Sequence, residues 1–357
     1  MGYTGPVEKI FLGLLILTPV AIAAAYFSVS PLIVLLLCAA AIIPLAKYIG
    51  DATEDLALRT NPAIGGLLNA TFGNVTELIV SIFAIHAGLV EVAKASITGA
   101  IIGNLLLVLG TAMFLGGRKR ERQHFNATAA KAACSMLLLA TTALVIPAIF
   151  ILTAGVGYSP HVQTLSIFVA VLMMIAYAAN LFFTLHTHKH LYKNEEADER
   201  SIAPKWSGKK STIILLFATV AVAVLSELLV NVIRPVVTQY GWTELFIGVI
   251  VVAIVGNVAE HLSAVTAAIK NKMDLSLQIA IGSATQVVMF VAPALVLISL
   301  LFGNPMNLVF NTFELVAIIF SVFVTNAVVE DGESTWFEGF QLIIAYIIMA
   351  VAFFLHP

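Results

Sequence analysis

The chain has 357 residues, 60% of them hydrophobic and only 11% charged, with a formal net charge of −2. Soluble domains carry about 25% charged residues, so a water-facing globular surface is excluded and most side chains must meet lipid or one another. The near-neutral balance also excludes the basic stripe of a nucleic-acid-binding protein.

Apolar runs long enough to cross a bilayer core, about 20 residues each, predict an all-α integral membrane protein of about eleven transmembrane helices. In chain order they fall at 10–27, 31–48, 62–89, 95–115, 130–153, 162–185, 211–233, 243–270, 275–302, 307–328 and 336–355. The first run ends in Ala21 to Ala25, loosely like a signal-peptide cleavage region. Only Lys9 supplies a basic flank, however, and the run is long enough to span. Cys38 and Cys134 sit in or beside apolar runs and read as small hydrophobes, without disulfide or zinc spacing.

Lys and Arg divide unevenly between the two sides of this topology. Sixteen of the 18 fall on the side of the N-terminus, leaving only Lys94 and Arg234 opposite. The positive-inside rule then makes this a multi-pass cell-membrane protein with a cytoplasmic N-terminus and an outside C-terminus. The long polar stretch 186–210 reads as a solvated cytoplasmic linker. Its alternating His186, His188 and His190 admit a transition-metal alternative. The acidic group Glu330, Asp331, Glu333 and Glu338 reads as a solvated cytoplasmic turn, or alternatively as a vestibule that collects cations.

A pentapeptide recurs inside two spans. Gly73-Asn74-Val75-Thr76-Glu77 is followed 183 residues later by Gly256-Asn257-Val258-Ala259-Glu260. The same offset aligns Gly99-Ala100 with Gly282-Ser283, and Glu91 with Asp274. The chain therefore divides into an N-terminal helix (1–30), a five-helix repeat (31–185), the linker (186–210) and a second five-helix repeat (211–357). An odd number of helices per unit inverts one copy relative to the other, an architecture of secondary transporters whose substrate sites lie at the midplane.

Glu77 and Glu260 both fall mid-span, where a carboxylate is costly and functional by default. Asn74 and Asn257 lie three residues before them on the same helix faces. Gly73 and Gly256 tolerate non-helical backbone, so both helices are expected to unwind locally and free carbonyls into a cavity. The next helix of each half adds Ser96, Thr98 and Asn104, and Ser283, Thr285 and Gln286. Such an all-oxygen site suits a hard divalent cation such as Ca2+, and soft ligands are absent from it. Two facing carboxylates in low dielectric cannot both stay ionised unless a cation sits between them, so protons compete for the same oxygens. His261 is a candidate proton relay, though it points about 100° around the helix from Glu260.

At these motifs the sequence resembles the calcium/cation antiporter superfamily, in its bacterial-type Ca2+/H+ exchanger branch. The resemblance rests on Gly73 to Glu77 with Ser96 to Gly110, and on Gly256 to His261 with Ile281 to Gln286. It implies that Glu77 and Glu260 hold Ca2+ and protons in turn, and that Asn74, Asn257, Ser283 and Gln286 line the site. Sodium-using relatives tend to carry an acid near Gln286, so the resemblance favours protons over Na+. Gly99-Ala100 departs from the branch's usual Gly-Ser. Ca2+ and H+ are then substrates, lipid is the surrounding partner, no resident cofactor is needed, and a homo-oligomer is possible but not readable. A Na+/Ca2+ exchanger, a cation channel and an intramembrane hydrolase with paired acids remain as alternatives.

Overall fold

A computed structural model describes residues 6–60, 62–154, 159–188 and 204–356. In chain order the helices are α1 (Glu8–Tyr26), α2 (Pro31–Ala57), α3 (Pro62–Phe72), α4 (Val75–His86), α5 (Val90–Gly117), α6 (Ala127–Ala154) and α7 (His161–Thr187). There follow α8 (Gly208–Tyr240), α9 (Glu244–Gly256), α10 (Val258–Ile269), α11 (Met273–Ser299), α12 (Thr312–Val328) and α13 (Trp336–Leu355). Among the described residues eight helices are long and apolar enough to cross a bilayer alone, and the bent pair α9–α10 makes a ninth crossing. The expected count of eleven further requires α3–α4 to be one broken crossing and α12, at 17 residues, to be a short one.

Three boundaries differ from expectation for identifiable reasons. Helix α2 continues past residue 48 to Ala57, because its polar last turns find partners. Lys47 pairs with Asp51 at 2.5 Å, and Asp55 accepts from Ser211 Oγ at 2.7 Å and from the backbone N–H groups of Lys205 and Trp206. The end of the linker and the start of the second repeat are thus clamped to α2 through Lys205, Trp206 and Ser211; residues 189–203, His190 among them, lie outside the described residues. Helix α8 runs through Arg234 and Pro235 and stops where Gly241 turns left-handed (φ 71°). Helix α12 begins at Thr312 rather than 307, set by a capping box in which Asn311 and Glu314 satisfy each other's backbone.

The loops gather on two opposite faces. On one, β1 (Gln123–His124) pairs antiparallel with β2 (Glu333–Ser334), while Arg120 and Gln123 donate to the carbonyls of Ile269 and Ala268. On the other, Lys94 donates to Val309 O at 2.8 Å, and Asn304 to Ile85 O at 3.2 Å. Lys94 and Arg234, the two exceptional basic residues, both lie here, with Arg234 reaching Ala87 O.

The 183-residue offset is visible in the backbone. Helices α4 and α10 are both 12 residues long and start at equivalent positions. Each is followed by a helix with a π-helical turn, at 103–108 in α5 and at 287–291 in α11. The two motif spans also run in opposite directions. Helix α5 doubles back on α4 through the short turn 87–89, yet runs parallel to α9–α10: Ala95 meets Gly248, Gly99 meets Val249, and Gly116 meets Ala268.

Candidate cation site

Both pentapeptides interrupt a helix at the same place. The chain leaves the α region at Asn74 (φ −104°, ψ 25°) and at Asn257 (φ −96°, ψ 10°), and the second interruption bends its span by 60°. The interruption is local, a kink of one or two residues at each motif. Gly73 N–H still reaches Asn69 O at 2.8 Å, and Asn257 N–H still reaches Ala253 O at 3.2 Å. Each kink starts a new helix whose first turn carries the glutamate, so Glu77 and Glu260 sit where the dipole favours negative charge.

The polar residues of the two halves meet. Asn104 Nδ2 donates to Asn257 Oδ1 at 2.9 Å and to Ser283 Oγ at 3.0 Å. Ser283 Oγ in turn lies 3.5 Å from Asn74 Oδ1, and Asn257 Nδ2 is anchored on Ala253 O. This chain of amides and a hydroxyl links four helices and is almost wholly buried, Asn74 at 2% and Asn104 at 0% exposure. Asn104 stands at its centre, a more prominent place than its sequence context suggested.

The acceptors aimed into this cluster lack donors. Both carboxylate oxygens of buried Glu77, one of Glu260 and the side-chain oxygen of Asn104 receive no hydrogen bond from another residue. The two glutamates are close enough for their charges to interact. The Glu77 carboxylate also lies against Gly256: a Cβ there would come within 2.8–2.9 Å of its Cγ, Cδ and Oε1. Glycine at 256 is therefore what lets the acid of one half reach the motif of the other. Buried acceptors without donors are rare and expensive, and a cation is the partner their chemistry calls for. Among the described residues no group of three or more His, Cys, Asp or Glu side chains is gathered, so any ion held here would draw on two carboxylates and neutral oxygens.

Other candidates are placed differently. Thr98 donates to Glu314 Oε1 at 3.0 Å, turning away from the cluster. Thr285 bonds its own helix at Ile281 O. Ser96 is buried where α5 packs on α9, beside Gly248. His261 makes no bond to Glu260, and its Nε2 is buried without a partner. Gly73 is not apposed to Glu260 as Gly256 is to Glu77; a Cβ at 73 would meet its own chain at Asn69 O. Gln286 donates to Asn69 O at 3.3 Å, which introduces a residue that the sequence reading missed: Asn69, polar and exposed, one turn before the kink. In the acidic turn, Glu333 pairs with Arg122 at 2.6 Å and Glu338 caps α13, so both are committed to structure. His186 and His188 stack on Phe182 and Phe183, and His190 lies outside the described residues.

The two halves are not equally closed around the cluster. Helix α9 lies along the first half of α5, burying Val92, Ala95, Ile247 and Val252 to 2% exposure or less. The equivalent faces of α11 and α3 are uncovered: Leu275 is 45% and Ile64 49% exposed, and Gln278 and Asn69 are exposed as well. Helix α3 packs instead on α2 and α7. The covering around the cluster is therefore tighter on the face of Lys94 than along α3 and α11 on the face of the β1–β2 ladder.

Comparison with known proteins gives the same architecture. The family model described as sodium/calcium exchanger protein matches residues 30–186 and 210–355. The chain is 50% identical over 317 residues to the Ca(2+)/H(+) antiporter ChaA of Bacillus subtilis (strain 168), covering 88% of this chain and 90% of that protein. It is 44% identical over 364 residues to the Ca(2+)/H(+) antiporter of Aphanothece halophytica, covering 98% and 97%. The solved structure of native YfkE superposes with a TM-score of 0.85 at 43% identity, covering 97% of this chain and 99% of that one.

Proposed function

The chain belongs to the sodium/calcium exchanger protein family, and from the chemistry of its buried cluster we propose that it exchanges Ca2+ for protons by alternating access. The observation that carries this reading is the set of donor-less oxygens on Glu77, Glu260 and Asn104, at the meeting of two oppositely directed copies of one motif. Asn74, Asn257 and Ser283 complete an oxygen-rich surround, Gly73 and Gly256 supply the kinks, and Gln286 lines the approach. Ser96 and His261 stand outside the binding set. Ca2+ neutralises the carboxylate pair and so do protons, hence either allows the site to change sides, and a doubly ionised empty pair does not. A pair left bare in low dielectric opposes the transition, which couples the two fluxes.

In this reading 31–185 and 211–357 are the two repeat units, 1–30 is an additional helix and 186–210 joins the units. The face of β1, β2 and the basic loops is cytoplasmic, which makes the state described open to the cytoplasm and closed outside. The resemblance to the Ca2+/H+ branch, with a neutral amide at Gln286, supports H+ rather than Na+ as counter-ion.

The test is Ca2+ flux into proteoliposomes with imposed pH and Na+ gradients. Uptake driven by the pH gradient without Na+ is expected, and uptake that demands Na+ would overturn the choice of counter-ion. Glu77→Gln and Glu260→Gln each are expected to abolish flux while leaving expression and chromatographic behaviour intact. Retained exchange in either variant removes the mechanism.

A further inference from the structure

Three exposed polar side chains fall at one level between α2, α3 and α10, on the β1–β2 side of the cluster. Gly50 of α2 faces α10: a Cβ there would lie 3.3 Å from that of Ala259. One turn farther along these two helices come Glu54 and Ser263, both exposed. Gly65 of α3 faces α2, where a Cβ would lie 3.0 Å from Ala57 O. Helices α2 and α3 run in opposite senses, so one turn back from Ala57 and one turn on from Gly65 bring Asn69 to the level of Glu54. Asn69 is exposed as well. The side chains of Glu54, Asn69 and Ser263 make no hydrogen bond or ion pair with any described residue. The acids beside Glu54 are committed, Asp51 to Lys47 and Lys205, and Asp55 to Ser211.

The duplication makes these positions particular to one half. Moved by 183 residues, Glu54, Asn69 and Ser263 correspond to Val237, Val252 and Val80, and Asp51 corresponds to Arg234. The motif keeps its Gly, Asn and Glu in both halves, whereas each of these three oxygen-bearing side chains has a valine as counterpart. We infer that Glu54, Asn69 and Ser263 form a second, weaker Ca2+ site on the cytoplasmic approach to the pair, with no equivalent on the outside. The inference rests on the reading of the chain as a Ca2+/H+ exchanger whose ladder face is cytoplasmic. A carboxylate, an amide oxygen and a hydroxyl from three helices are hard donors for a Ca2+ ion that keeps part of its hydration, and one carboxylate binds it less tightly than two. Ser263 follows Glu260 by three residues, about 4.5 Å along α10, so an ion held there passes to the pair in one short step. Cytoplasmic Ca2+ is thereby concentrated beside the pair, while Ca2+ arriving from outside meets valines and Arg234.

The experiment titrates Ca2+ by calorimetry into full-length protein carrying Glu77→Gln with Glu260→Gln, which removes both acids of the cluster, at unaltered chromatographic behaviour. Weak residual binding of Ca2+ is expected, and adding Glu54→Gln is expected to abolish it. Adding Asn69→Leu instead is expected to weaken it. In proteoliposomes of defined orientation, Glu54→Gln alone is expected to raise KM for Ca2+ on the cytoplasmic face at least ~3-fold, with smaller changes in kcat and in KM outside. Glu330→Gln, which neutralises an exposed acid in the turn before β2, is expected to leave both KM values unchanged and so separates a local site from general surface charge. No residual binding in the cluster variant, residual binding that survives Glu54→Gln, or an equal KM rise in Glu330→Gln would each overturn the inference. Flux that demands Na+ would overturn the choice of counter-ion and leave these binding results standing.

Discussion

Glu77 shows what a membrane protein tolerates in order to keep a charge-bearing group at the midplane. A carboxylate there costs about 2.5–3.5 kcal/mol on the insertion scale, and Glu77 recovers none of it through hydrogen bonds to other residues. Its carboxylate lies against a glycine of the opposite half, Gly256, where a Cβ would come within 2.8–2.9 Å of it. Gly256→Ala therefore forces Glu77 aside, and Ca2+ affinity should fall about tenfold or more, equal to about 1.4 kcal/mol. Gly103→Ala is the matched control, since no atom lies within 4 Å of a Cβ there; calorimetric titration of both variants with Ca2+ checks the difference. Asn104→Ala should resemble Gly256→Ala. It breaks two bonds that tie α5 to the second motif and to α11, and it deletes one of the oxygens without a donor.

At the scale of elements the duplicated motif makes the structure readable in pairs. The equivalent helices α4 and α10 were foreshadowed by the repeated Gly-Asn-Val-x-Glu and by Gly99 aligning with Gly282, because polar and glycine residues in apolar spans are too costly to be noise. Which polar side chains point inward was less legible. Thr98 and Asn104 lie on one helix, but the π-helical turn at 103–108 shifts the face that Asn104 presents, and no residue pattern announced that turn. The partner of Thr98, Glu314, was hidden in a capping box at a helix start misplaced by five residues. The state of closure could not be read at all, since both halves carry the same small-residue faces and only packing distinguishes them. That difference yields a prediction. A Cβ at Gly99 would sit 2.0 Å from Val249 O, whereas one at Gly282 meets nothing within 4 Å. Gly99→Ala should disrupt the sealed face, seen as labelling of nearby cysteines from the Lys94 side. Gly282→Leu should leave the thermal stability of this state unchanged yet slow turnover, because exchange of roles between the halves would press α3 onto that position. Normal turnover in Gly282→Leu would refute the pairing of faces.

The halves of the molecule are coupled by helix packing, by the loop ladder, by the cluster and by a polar clamp between α2 and the start of α8. Asp55 is almost fully buried and gathers Ser211 Oγ and the N–H groups of Lys205 and Trp206 at the junction of the linker with the second half. Asp55→Ala strands those donors and should cost about 1–3 kcal/mol, read as a lower thermal midpoint in detergent with Ca2+ affinity preserved. Protons act on the cluster itself. Because Ca2+ and H+ seek the same carboxylate oxygens, each proton displaced makes apparent Ca2+ affinity change about tenfold per pH unit over the range where the pair titrates. The sign is fixed: acidification fills the pair with protons and weakens Ca2+ binding, and alkalinisation strengthens it until no proton remains to be displaced. Glu260→Gln leaves one titrating acid, so the slope of log affinity against pH should drop by one relative to wild type. Buffer-dependent heats in calorimetry count the released protons directly. An affinity independent of pH, or a slope unaltered by Glu260→Gln, would show that the proton is carried elsewhere in the fold.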